Sequence, residues 1–349
     1  MTSKIKVDLF SDTMTQPSPE MRRAIGDAEV GDEQRGEDPT VNLLQEMVAE
    51  LLGKEAGLFL PSGTMCNQIS FALHCRPGDE ILMDETAHPL NFEAGGPAAM
   101  ASALVRPIRG ERGIFSARQV TDGIRPPDRH NPRTRVVSVE QPTNIAGGAC
   151  WPLETIHEVC AAGREAGLAL HLDGARLLNA VVATGVEARV FAAPFDSAWI
   201  DMSKGLGAPV GAVLAGSREF IDRAWVLKQR FGGAMRQAGI IAAAGVFALN
   251  HNVKRLADDH ANAARLAQGL AKLTGVALDP DSVETNIVVF AMKPGSVTAA
   301  EFGERMLSEH GVRFSQISPT QLRAVTHLDI DNNDIEVALD AARRVLSAG

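Results

Sequence analysis

The 349-residue chain contains no tyrosine, so no phenol serves it as acid, base or stacking group. Cysteine is scarce. The four present, Cys66, Cys75, Cys150 and Cys160, form no C-x-x-C pair and no metal spacing, and each sits among apolar or small residues. They are expected to be buried free thiols, which argues against a disulfide scaffold and against a metal site. Basic residues are outnumbered, 34 against 43 acidic, for a formal charge of −9. That sign argues against general nucleic-acid or anionic-membrane binding, while leaving room for a local basic pocket that takes one phosphate. Long apolar runs are missing too. None approaches a bilayer span, and the opening MTSKIKVDLFSD lacks the apolar core and cleavage pattern of a secretory signal. The expectation is a cytoplasmic protein.

What is present describes an ordinary globular chain, 45% hydrophobic and 22% charged, long enough for two domains. Asp38-Pro39-Thr40 opens a helix, with aspartate as cap and proline in the first turn. Val41, Leu44, Val48 and Leu51 form its buried stripe, and Gly53 ends it. Strand patterns then alternate with helical ones through Leu214, which argues for an α/β fold with a mainly parallel sheet covered on both faces. From Asn252 the pattern changes to a long helix, a strand at 286–290, a helix at 301–309 and a final helix from Asp334. The reading is an N-terminal arm over 1–15, a large domain over 16–250 and a smaller C-terminal α+β domain over 251–349.

Five stretches carry chemistry. WIDMSKGLGAPVG places Lys204 between an apolar strand and a glycine-rich turn. A desolvated lysine is suited to attack a carbonyl, and glycines behind it would let a ligand pass close to backbone. LPSGTMCN runs a strand into Ser62-Gly63-Thr64 and a helix, an arrangement that presents free N–H groups to a phosphate, although it is neither a P-loop nor a dinucleotide fingerprint. LALHLDGAR puts Asp173 at the carboxyl edge of a sheet, with Arg176 just beyond. FGGAMRQAG carries Arg236, and QLRAVTHLD carries Arg323. His88 and His130 stand in polar loop contexts. Singly, each has an ordinary alternative: a loop lysine, a capped turn, an internal Asp–Arg pair, a rim charge, a structural histidine.

As an ordered set, these stretches resemble the low-specificity L-threonine aldolases, in the β-eliminating lyase group of fold-type-I pyridoxal phosphate enzymes. The motifs that carry the resemblance are GEDPTVNLL, FLPSGT, LHLDGAR followed by SKGLGAPVG, GGAMRQ and RAVTHLD, spanning nearly the whole chain. It implies Lys204 as the Schiff-base lysine, Asp173 as partner of the cofactor ring nitrogen, and Ser62, Gly63 and Thr64 as the phosphate turn. It implies Arg236 reaching the phosphate of a neighbouring subunit's cofactor, within a dimer or tetramer that shares active sites. His88 matches the histidine stacked on the ring and His130 a second active-site histidine; either is a candidate base. Ser11, Arg176 and Arg323 match groups that hold the carboxylate of an amino-acid substrate.

The implied activity is cleavage of β-hydroxy-α-amino acids to glycine and an aldehyde. The alternatives are β-elimination on the same fold and cofactor binding without turnover. Several positions depart from the family pattern: Phe10 replaces an arginine, Arg35 a tyrosine, Gln141-Pro142 an Asn-Thr pair and Ala234 a glycine, and HPLNFE differs between His88 and Phe92. Phe10 and Arg35 are expected to shift preference towards larger or aromatic substrates such as phenylserine.

Overall fold

A computed structural model of the chain describes residues 5–347. Seven strands form the central sheet: β1 (Ala56–Leu60), β2 (Glu80–Asp84), β3 (Leu104–Ile108), β4 (Thr134–Glu140), β5 (Ala169–Gly174), β6 (Ser197–Asp201) and β7 (Ala212–Gly216). Their order is β1-β7-β6-β5-β4-β2-β3. The block from β3 to β6 pairs in parallel, and β7 runs antiparallel to both β6 and β1. Strands β2, β5, β6 and β7 are buried along their whole length, as expected of a sheet covered on both faces.

Helix α1 (Pro39–Leu52) shows why the local sequence reads well. Asp38 Oδ1 accepts the Val41 N–H at 3.0 Å, Pro39 sits in the first turn, and Gly53 closes the helix with a left-handed φ of 62°. Its stripe ends on fully buried Leu52, with Leu51 only partly covered. Helix α2 (Gly63–His74) starts where β1 ends, at the carboxyl edge of the sheet.

A second, four-stranded antiparallel sheet is built from β8 (Val276–Ala277), β9 (Ile287–Met292), β10 (Ser315–Gln316) and β11 (Gln321–Val325), in the order β10-β11-β9-β8. It has its own core, which includes Leu266, Phe290, Phe302, Leu322 and Ile335. The N-terminal arm belongs to this core. Val7–Asp8 pairs in parallel with Val312–Arg313, and Val7 and Leu9 are buried among its residues.

Candidate active site

A cavity of about 270 Å³ lies at the carboxyl edge of the large sheet. The arm contributes Ser11 and Thr13, the large domain His88, Phe92, Asn144, Ile145, Arg176 and Lys204, and the smaller sheet Ser315, Gln316, Ile317 and Arg323. A larger cavity of about 630 Å³ opens at the opposite, amino edge. Its cations are already engaged: Arg164 grips Asp196, and Lys54 donates to the carbonyls of Ala192 and Phe195. The smaller cavity holds the chemistry.

Lys204 follows the end of β6, and its Nζ donates to Asp201 Oδ2 at 2.7 Å while lying 5.6 Å from the Trp199 ring centroid. The expected purpose of the neighbouring glycines is corrected. A Cβ at Gly205 would come within 2.9 Å of Leu256, and one at Gly207 within 2.5 Å of Leu328, so these glycines serve close packing of protein against protein. Gly63, at the other side of Trp199, is equally constrained: a Cβ there would fall 2.2 Å from the indole. Trp199 thus seats the start of α2 beside Lys204. Ser62 Oγ accepts the Met65 N–H and Ser62 O the Cys66 N–H, while Ser62 and Thr64 are exposed. The N–H groups of Gly63 and Thr64, in the first turn, have no carbonyl four residues upstream inside the helix.

Asp173 is buried one residue before the end of β5. Its Oδ1 accepts the Ala175 N–H at 3.1 Å and its Oδ2 the Asn67 amide at 2.9 Å. Burial raises its pKa, opposed by the charge of His88 and the Asn67 bond, with Glu93 adding to the rise. Glu93 is the hub beside it. This buried carboxylate meets His88 Nδ1 at 2.9 Å and accepts from both Asn67 and Gln68. Next to Asp173 in register stands Glu140, whose carboxyl is pushed up to about 7 by burial and by the Asp173 charge.

The two arginines differ in availability. Arg176 is expected to hold substrate, yet it is buried in a two-point pair with Asp12, Nε to Oδ2 and Nη2 to Oδ1 both at 2.7 Å. Burial alone would raise the Asp12 carboxyl, but the charge and bonds of Arg176, with Lys204 and Asn286, hold it well below the usual carboxylate range. Among the described residues, Arg323 has no carboxylate partner. Nη1 donates to Asn144 Oδ1 at 2.6 Å, and Nε is buried without a partner. Burial, together with the positive charge of Arg176, lowers its pKa to about 10. An incoming carboxylate would relieve that repulsion.

Asp173, Ser62, Gly63 and Thr64 stand at the same carboxyl edge of the sheet without lining the cavity, and His130, Arg236, Phe10 and Arg35 are turned away from it. His130 is exposed on the loop before β4, at the opposite end of that strand from Glu140, and its backbone N–H donates to Asp128. A seven-residue strand separates the two by roughly 20 Å. Within one chain, His88 alone of the two histidines reaches the cavity. Arg236 is turned outward to Asp32 at 2.9 Å, its side chain 63% exposed. Phe10 packs under the Arg313 guanidinium, and Arg35 is exposed at the end of a short turn, so neither lines the cavity. Phe92, Ile145 and Ile317 form its apolar wall instead.

The family model described as beta-eliminating lyase matches residues 8–293, most of the chain and every large-domain element of this cavity. The chain belongs to the beta-eliminating lyase family. Among relatives, the low specificity L-threonine aldolase of Escherichia coli K12 is 43% identical over 334 residues, covering 95% of this chain and 97% of that protein. Low-specificity L-threonine aldolase 1 of Arabidopsis thaliana is 37% identical over 344 residues, covering 97% and 96%. A solved threonine aldolase structure from Leishmania major superposes with a TM-score of 0.83 at 18% identity, covering 98% of this chain and all of that one. The beta-eliminating lyase fold is thus the fold-type-I arrangement of pyridoxal phosphate enzymes.

The residues present fit that cofactor. A buried carboxylate at Asp173 suits a ring cation, the first turn of α2 suits a phosphate, and Lys204 suits an aldehyde. Sequence reading missed Asp12, Asn67, Glu93, Glu140 and Asp201. DLFSDT and FLPSGTMCN do contain Asp12 and Asn67, but nothing local reveals that one faces Arg176 and the other Asp173.

Proposed function

We propose that the chain is a pyridoxal phosphate-dependent aldolase that cleaves β-hydroxy-α-amino acids, threonine among them, to glycine and an aldehyde. The observation that carries this reading is convergence: Lys204, His88 and Arg323, from separate parts of the chain, line one cavity beside buried Asp173. When bound, pyridoxal phosphate supplies an electron sink for the pair released as the Cα–Cβ bond breaks.

Lys204 is the lysine that holds the cofactor aldehyde. Asp173 pairs with the ring nitrogen, and Ser62, Gly63 and Thr64 take the phosphate. Arg323 grips the substrate carboxylate, aided by Ser11 and by Asn144, which its Nη1 already meets. Arg176 acts at one remove, since Asp12 occupies two of its nitrogens. Fixing the carboxylate orients the scissile bond. His88 takes the β-hydroxyl proton, directly or through a water, with Nδ1 anchored on Glu93 and Nε2 left to receive it. Phe92, Ile145 and Ile317 surround the β-substituent, and this apolar wall supports a preference for phenylserine over threonine.

Arg236 turns outward in one chain, which supports a shared-site dimer or tetramer in which it serves a neighbour's cofactor. Four buried, unpaired cysteines support a reducing, cytoplasmic location. Among the described residues no helix is long and apolar enough to cross a membrane.

The deciding experiment incubates the purified holo-protein with L-threonine, L-allo-threonine and L-phenylserine. Glycine with an aldehyde is the expected product pair, absent in Lys204→Ala. Ammonia with a keto acid would replace this reading by β-elimination.

A further inference from the structure

One buried network is left unused by this chemistry. It crosses the large domain from the amino-edge cavity, which His74 lines, to Asp173. His74 Nε2 lies 2.9 Å from Ser197 Oγ, Ser197 Oγ 2.8 Å from His171 Nδ1, and His171 Nε2 3.0 Å from Asn67 Oδ1. Asn67 Nδ2 then donates to Asp173 Oδ2 at 2.9 Å and to Glu93 Oε1 at 2.8 Å. Asn67, His171 and Ser197 are each 0% exposed.

The protons of this chain follow one from another. The indole N–H of Trp199 can only donate, and it donates to Asn67 Oδ1 at 2.8 Å. Oδ1 is therefore the carbonyl oxygen, and both amide protons face the carboxylates. An acceptor at Oδ1 requires the His171 proton on Nε2. Burial keeps this ring neutral, its pKa pulled down to about 3, so Nδ1 is bare and accepts the Ser197 hydroxyl. Ser197 Oγ in turn receives the Nε2–H of His74. Every donor points towards Asp173.

We propose that His171, backed by Ser197 and His74, is a positioning residue for the cofactor: it pins the Asn67 amide so that Asp173 meets the ring as a hydrogen-bonded carboxylate. The proposal rests on the pyridoxal phosphate reading of the cavity. A buried amide held at Oδ1 by two donors cannot turn that oxygen against Asp173 without leaving both donors unpaired.

The test has a part that needs no cofactor. Histidine-selective ¹⁵N NMR of the wild-type chain, free and loaded, should show His171 protonated on Nε2 and bare at Nδ1. A proton on Nδ1 would overturn the relay. In cofactor titrations, His171→Leu should weaken pyridoxal phosphate binding about tenfold or more and shift the visible absorption of the bound cofactor. His171→Gln, whose amide can both donate to Asn67 and accept from Ser197, should recover most of the affinity. If His171→Leu does not fold, as judged by circular dichroism, Ser197→Ala decides, with a loss of about threefold or more expected. Folded variants with wild-type affinity and spectrum would overturn the proposal alone. A wild-type protein that takes up no pyridoxal phosphate would overturn the cofactor reading and the proposal with it.

Discussion

Lys204, Arg323 and Arg176 are all cationic and all line one cavity, but their partners assign them different consequences on removal. Lys204→Ala should cost at least about a thousandfold in turnover, measured as aldehyde release, and abolish the visible absorbance of the Lys204-bound cofactor. Arg323→Ala should raise KM for the amino acid about 10- to 100-fold with a smaller change in kcat, because the proposed task of Arg323 is to bind a charged group that persists through the reaction. Arg176→Ala should read out in folding instead. It leaves Asp12 buried beside the cavity without its main partner, a defect worth about 3–5 kcal/mol in denaturant unfolding. If Arg176→Ala keeps full stability and loses only substrate affinity, the two arginines have been assigned the wrong way round. Lys204 and Asp173 could be singled out from sequence because each stands at a strand end within an ordered set of motifs. Asp12, Asn67 and Glu93 could not, since their partners lie 164, 106 and 26 residues away and only the fold brings them close.

Elements read well where a stripe or a cap marks them and poorly where neither does. The capped helix α1 was placed nearly to the residue, whereas the helix Gly239–His251 went unread. Its sequence GIIAAAGVFALNH is apolar almost all round, so it shows no face, and it has no side-chain cap. Packing between elements also carries a pH response. The helices Leu177–Thr184 and Leu256–Ala271 meet through Asn179 Nδ2 and His260 Nε2, 3.2 Å apart. The amide can only donate there, so the imidazole nitrogen accepts, and burial lowers the His260 pKa to about 4. The unfolded chain takes up this proton near pH 6.5 while the folded one resists to about 4, so stability falls as pH drops through that window. His260→Gln should flatten the fall by on the order of 3 kcal/mol in unfolding curves collected from pH 7 to 4. An unchanged slope would remove His260 from the account.

At the scale of the molecule, two cores are joined by the arm. Leu9 is fully buried in the smaller core, its N–H donates to Arg313 O, and its carbonyl accepts from Val325, each at 2.9 Å. Two residues further on, Ser11 enters the cavity and Asp12 engages Arg176. Leu9→Ala should therefore cost about 2–5 kcal/mol in stability and also lower activity in the fraction that remains folded. Loss of stability with unaltered kinetics would separate the arm from the site. The helix that follows the change of pattern near Asn252, Leu256–Ala271, packs Leu266 and Leu270 into the smaller core, but the arm's place in that core did not show, because Val7 to Leu9 is too short to display a period. One consequence follows from the mounting of Arg323 on β11. On the proposed reading the lysine and the carboxylate grip belong to different sheets, so a bound amino acid would bridge them as a bolt bridges two plates. Its backbone length becomes a ruler for the gap, and amide hydrogen exchange along β11 should slow when substrate is present and quicken when it leaves.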